Sequence, residues 1–118
     1  MRYLCLIYDN EKQMASAPQA EQDAIIREYM TFTEGIQKSG HLLGGEALQP
    51  VASATTVRIR NGKISTTDGP FGETKEQLGG YYLINAKDLN EAIQVAAKMP
   101  SARYGCVEIR PIMEFGEQ

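Results

Sequence analysis

Arg2-Tyr3-Leu4-Cys5-Leu6-Ile7-Tyr8 is the segment whose side-chain alternation decides the fold. Tyr3, Cys5 and Ile7 fall on one face of an extended chain and Leu4, Leu6 and Tyr8 on the other, so a strand here is apolar on both sides and covered on both. Gly80 to Asn85 repeats the pattern, with Tyr81 and Leu83 on one face and Tyr82 and Ile84 on the other. Outward from the first strand, Asp9, Asn10 and Glu11 are turn-like. Ser16 is followed three residues later by Gln19 with Pro18 between, which favours a helix start. Ile25, Tyr29, Phe32 and Ile36 then recur at helical spacing, and Gly40 suits the left-handed position that closes a helix ending near Ser39.

His41 to Leu48 reads as a short strand closed by Pro50, with Gly44 and Gly45 permitting a bulge or close backbone approach. Thr56 to Arg60 and Lys63 to Thr67 flank Asn61-Gly62, the dipeptide suited to a primed hairpin turn, which sets Ile59 opposite Ile64 and Arg60 opposite Lys63. A loop from Asp68 to Leu78 leads into the second two-sided strand. Asp88 with Glu91 forms a capping box for a shorter helix with the stripe Leu89, Ala92, Ile93 and Ala96, ended by Pro100. The last strand, Cys106 to Ile112, sets Val107 and Ile109 against Glu108 and Arg110, the pattern of a half-polar strand near an edge.

Strand, helix, strand, inserted hairpin, strand, helix, strand reduces to βαββαβ once the hairpin is set aside. This is the α+β, ferredoxin-like plan, with both helices on one face of an antiparallel sheet. At 118 residues, 42% apolar and 23% charged, the chain is a single domain, 1–118, with enough core to fold without disulfides or a structural metal. A net charge of −3 provides no footprint for nucleic acid or an anionic membrane. The apolar run Leu4 to Ile7 is too short for a signal peptide or a membrane span, which predicts a cytoplasmic protein. Cys5 and Cys106, without C-x-x-C spacing, read as buried free thiols of a reducing compartment. Two helices cover only one face of the sheet, so the apolar rear face calls for a second copy packed sheet to sheet in a homodimer. The alternative is that the hairpin folds back over that face.

Asp68-Gly69-Pro70-Phe71-Gly72-Glu73-Thr74-Lys75-Glu76-Gln77-Leu78-Gly79-Gly80-Tyr81-Tyr82 is the most distinctive stretch. It resembles the DGPF motif of the YCII-related (YciI-like) family. Ser39 to Pro50 and Val107 to Ile112 are similar to that family's second and final strands, so the resemblance spans nearly the whole chain. It implies a dimeric α+β barrel of two ferredoxin-like subunits, no established activity, and, from the company relatives keep, an association with extracytoplasmic-function sigma factors. The YciI branch has a proposed His and Asp pair with its histidine on the first helix; here Tyr29 takes that place.

Within the motif, Pro70 stiffens the loop and pushes Gly69 toward an extended conformation, Phe71 can anchor the loop by burial, and Asp68 can accept backbone N–H bonds. Asp68 and Glu73 are the candidate acid and base pair, and His41, the single histidine, is a candidate general base or a cap on helix carbonyls. Arg58 suits a carboxylate or phosphate. Tyr8, Tyr81, Gly69, Pro70, Phe71 and Lys75 are the other candidate ligand contacts. Without a histidine or cysteine cluster no metal is expected, and the Gly44-Gly45 and Gly79-Gly80 pairs lack a nucleotide-site context, so no cofactor is expected. The functional expectation is a cleft by the DGPF loop for a small polar or anionic molecule, with cofactor-free acid and base chemistry. A non-catalytic regulatory or interaction protein linked to sigma factors is the alternative.

Overall fold

A computed structural model describes residues 1–115. The order is β1 (Arg2–Asp9), α1 (Glu11–Ala15), α2 (Gln19–Lys38), β2 (Leu42–Ala47), a 3-10 turn (Val51–Ser53), β3 (Thr55–Arg60), β4 (Lys63–Asp68), β5 (Gln77–Asn85), α3 (Leu89–Ala96), α4 (Ser101–Tyr104) and β6 (Cys106–Pro111). The main sheet runs β2-β5-β1-β6, antiparallel throughout, and β3-β4 form a separate ribbon. This is the ferredoxin-like arrangement with an inserted hairpin. The two-sided strands β1 and β5 are its centre, and the half-polar β6 is an edge.

The front face of the sheet, Tyr3, Cys5, Ile7 and Ile84, packs against Phe32 and Ile36 of α2 and Ala92, Val95 and Ala96 of α3, with Met99 sealing the end. Tyr82 meets Phe32 edge to face at 5.3 Å between ring centroids. Gly40 takes φ +84° and passes the chain out of α2, where the His41 N–H donates to the Ile36 carbonyl at 2.9 Å. Leu43 and Gly79 are extra residues where the register of β5 shifts against β2 and β1. Where β2 crosses β5, a Cβ on Gly80 would lie 2.7 Å from the Glu46 carbonyl oxygen, so glycine is what lets the two backbones close.

Several local expectations change. Asn10 caps α1, its side chain accepting the Gln13 N–H at 3.0 Å, while Ser16 closes that helix instead of opening the next. Asn10-x-x-Gln13 carries the same start signature as Ser16-x-x-Gln19, and the structure uses the first. Cys106 is exposed, unlike the buried Cys5, because β6 is an edge strand and residue 106 points to the rear. Phe71 is 82% exposed and anchors nothing within the described residues. Gly69 takes φ +102°, a backbone closed to other side chains, rather than an ordinary extended one.

The hairpin does not fold back over the sheet. Every residue of β4 is exposed, and the molecule is a slab of 50 × 47 × 18 Å. Its radius of gyration is 16.4 Å, against about 13.5 Å for a compact chain of this length. The ribbon therefore stands out as an arm. Asn61 (φ 54°) and Gly62 (φ 75°) form the expected turn at its tip, with Ile59 opposite Ile64 and Arg60 opposite Lys63. The rear face, with Leu4, Leu6, Tyr81 and Leu83 half-buried, is left without a covering layer among the described residues. No helix among them is long and apolar enough to cross a membrane.

Candidate functional site

Where β1 ends, three polar side chains from distant parts of the chain meet. Asp9 is the last residue of β1, Tyr29 lies on the inner stripe of α2, and Ser101 opens α4 immediately after Pro100. The Tyr29 hydroxyl donates to Ser101 Oγ at 2.5 Å, and Ser101 Oγ donates to Asp9 Oδ2 at 2.8 Å. The Ser101 backbone N–H donates to the Tyr29 hydroxyl oxygen at 3.2 Å. Ser101 is the buried polar residue of the described chain, and Asp9 Oδ1 is a buried oxygen with no hydrogen-bond partner. Burial pushes the Tyr29 phenol above its ordinary value, with the Ser101 hydrogen bonds opposing, so the hydroxyl stays protonated and remains a donor near neutral pH.

Backbone geometry holds the cluster. A Cβ on Gly105 would lie 2.0 Å from the Tyr8 carbonyl oxygen and 3.0 Å from Asp9 Oδ1, so only glycine lets the start of β6 pass this close. Beside the cluster a pocket of about 740 Å³ opens between α2 and the β2-β5 edge, and Asp9 and Tyr29 both line it. Ile26, Met30, Leu42 and Tyr82 make its walls apolar, and Gly45 and Gly80 contribute bare backbone. Thr33 Oγ1 and the Tyr82 hydroxyl share a hydrogen bond of 2.6 Å on its rim, and the Tyr29 and Tyr82 rings stack at 6.4 Å. Asp9, Glu34 and Glu46 are the charged groups of the lining; it contains no Lys, Arg or His.

The DGPF loop borders a different, more open groove of about 1350 Å³. Tyr8, Pro70, Phe71 and Glu73 are brought together there, beside Lys12, Pro50 and Glu76. Asp68, Gly69, Lys75, Arg58 and Tyr81 do not line it. Asp68 is exposed at the end of β4, and the turn is closed by other groups: the Gly69 N–H donates to the Ala54 carbonyl and Thr56 Oγ1 donates to the Gly69 carbonyl at 2.8 Å. Arg58 is half-buried on the arm and Lys75 is exposed. Tyr8 turns to the rear, its hydroxyl donating to Glu108 at 3.2 Å, while Tyr81 borders the pocket under α2. His41 bridges the helices: Nδ1 meets Ser39 Oγ at 2.6 Å and Nε2 meets Glu91 at 2.8 Å, neither partner belonging to the loop.

Asp9 and Ser101 escape sequence reasoning because nothing local marks them. Asp9 looks like turn punctuation and Ser101 like the residue after a helix stop. The available signal is an acidic residue placed directly at the end of a strand apolar on both faces, where a solvated carboxylate is out of keeping.

The comparisons with known proteins agree with this architecture. Residues 1–116 match the model of the YCII-related domain. An uncharacterized protein of Rhizobium meliloti (strain 1021) is 33% identical over 114 residues, which cover 95% of this chain and 92% of that protein. With its antiparallel sheet, two packed helices and near full-length match, the chain belongs to the YCII-related family.

Proposed function

We propose that the pocket beneath α2 binds a small, uncharged and largely apolar molecule bearing a hydroxyl or amine, and that Asp9 receives its hydrogen bond. The observation that carries this reading is the buried, unpartnered Asp9 Oδ1 beside an apolar pocket. A buried acceptor without a donor is costly, and a ligand that supplies the donor removes the cost. Ser101 holds the other carboxylate oxygen, and Tyr29, kept neutral, fixes Ser101. The carboxylate is thus fixed in place and already half satisfied, as a positioned acceptor requires. The acidic lining disfavours an anion, so the ligand class shifts from the polar or anionic molecule expected beside the DGPF loop. Of the expected loop residues Asp68, Glu73 and Arg58, Glu73 alone lines the outer groove, so they supply no shared site for an anion there. The homodimer is part of the same reading and is supported by the uncovered rear face.

The test is a thermal-shift and NMR screen with small phenols, cyclic enols and aromatic amines, run on the native chain and on Asp9→Asn, Asp9→Ala and Tyr29→Phe. Compounds that bind the native chain are expected to weaken at least about ten-fold with Asp9→Ala and to perturb Ile26, Met30 and Tyr82 resonances. Binding that survives Asp9→Ala unchanged, or that shifts only Phe71 and Glu73, would sink the assignment.

A further inference from the structure

A second concavity lies on the other side of α2 from the pocket described above. It is a groove of about 790 Å³ between α2 and α3, floored by Phe32, Ile36 and Val95. Its volume suits a small molecule. The charge of its lining is opposite to that of the acidic pocket: Arg27 and Lys98 border it, and the one carboxylate there, Glu28, is already paired with Arg103 at 2.5 Å. Among the described residues, neither Arg27 nor Lys98 has an ion-pair partner. Lys98 also complements the C-terminal end of α3. Arg27, in the body of α2, has no such role.

His41 closes one end of the groove, tying Ser39 at the end of α2 to Glu91 in the first turn of α3. Both of its ring nitrogens are engaged. Along the two antiparallel helices, Arg27 and Lys98 lie toward the opposite end, which is where a free anion finds charge. Between the ends stands Gly35, in the interior of α2 and in the groove lining. Glycine there weakens a helix relative to alanine. Nothing in the chain requires it, because a Cβ at Gly35 would meet no atom within 4 Å. The missing side chain leaves open the middle of an apolar floor.

From these observations we propose that the groove between α2 and α3 binds a small monocarboxylate with an apolar body, its carboxylate held by Arg27 and Lys98 and its body laid past Gly35 on Phe32, Ile36 and Val95. The guanidinium fork matches the two carboxylate oxygens, and the ammonium supplies a second charge. Glu28 disfavours a dianion such as a phosphate monoester more than it disfavours a single charge. The site is separate from the pocket beneath α2, so the two readings stand or fall independently.

Calorimetric and NMR titration with phenylacetate and isocaproate tests the site, with phenylacetamide as the uncharged match and phenyl phosphate as the dianion. Both carboxylates are expected to shift Thr31, Ile36 and Val95 resonances, and phenylacetamide to bind at least about ten-fold more weakly. Arg27→Gln with Lys98→Gln changes two exposed side chains and is expected to weaken the carboxylates by a similar factor. Gly35→Leu is expected to raise the melting temperature and yet weaken binding at least about ten-fold, opposite signs that a purely structural glycine does not give. Failure of both carboxylates to bind at millimolar concentration, an amide that binds as tightly, tighter binding of phenyl phosphate, or shifts confined to Ile26, Met30 and Tyr82 each overturns the carboxylate site. Binding left unchanged in either variant does so too. If the Gly35→Leu chain does not fold, the charge variant decides alone.

Discussion

Cys5 is fully buried in the core, and desolvation pushes its thiol up to about 11 from an ordinary 9.0. The folded state therefore holds this proton more tightly than the unfolded chain does. Below about pH 9 both states keep it and the site is neutral toward stability; between 9 and 11 the unfolded chain gains by ionising and stability falls. The fall reaches about 2 to 3 kcal/mol at the upper end. Cys106 is also raised, by partial burial first and then by the nearby Glu76 carboxylate, but it is common to native and Cys5→Ala chains. Urea unfolding of the two at pH 8 to 11 is expected to show a steeper loss in the native chain, and parallel slopes would refute the assignment. Asp9 is a different case at this scale. Its unsatisfied oxygen is tolerated because Ser101 and Gly105 fix the surrounding backbone and hydroxyl, so the local cost is held by structure elsewhere.

At the scale of elements, capping illustrates how sequence signals compete. Asp88 accepts the Glu91 N–H at 2.9 Å and caps α3. Asp88→Ala is expected to cost about 1 kcal/mol in chemical denaturation, and a loss within error would show that α3 is set by its packing alone. The strands, the inner stripe of α2 and the arm's register are legible because each rests on side-chain period or on one dipeptide, both local properties. The exposed Phe71, the exposed Cys106 and the choice of Asn10 over Ser16 are not, because they depend on where the neighbouring element lies. The candidate site is the least legible part. Its three residues are separated by 20 and 72 positions along the chain, and only the crossing of α2 over the end of β1 brings them together. The DGPF loop, conspicuous in sequence, instead shapes an open groove away from that cluster.

For the whole molecule, the slab-and-arm shape separates a packed front, which builds the pocket, from a rear face and an arm left uncovered among the described residues. The arm has a further consequence, since a two-stranded ribbon consists of two edges and no centre. The outward rows of amide and carbonyl groups on β3 and β4 are templates for any extended chain that comes alongside. Arg58, Arg60 and Lys63 act as guards, because like charges stacked from neighbouring copies repel each other. Replacing all three with serine is expected to give concentration-dependent fibrils that bind thioflavin, whereas the native chain stays clear. The same basic residues thus set the solubility limit and keep neighbouring ribbons from running on into open-ended polymer.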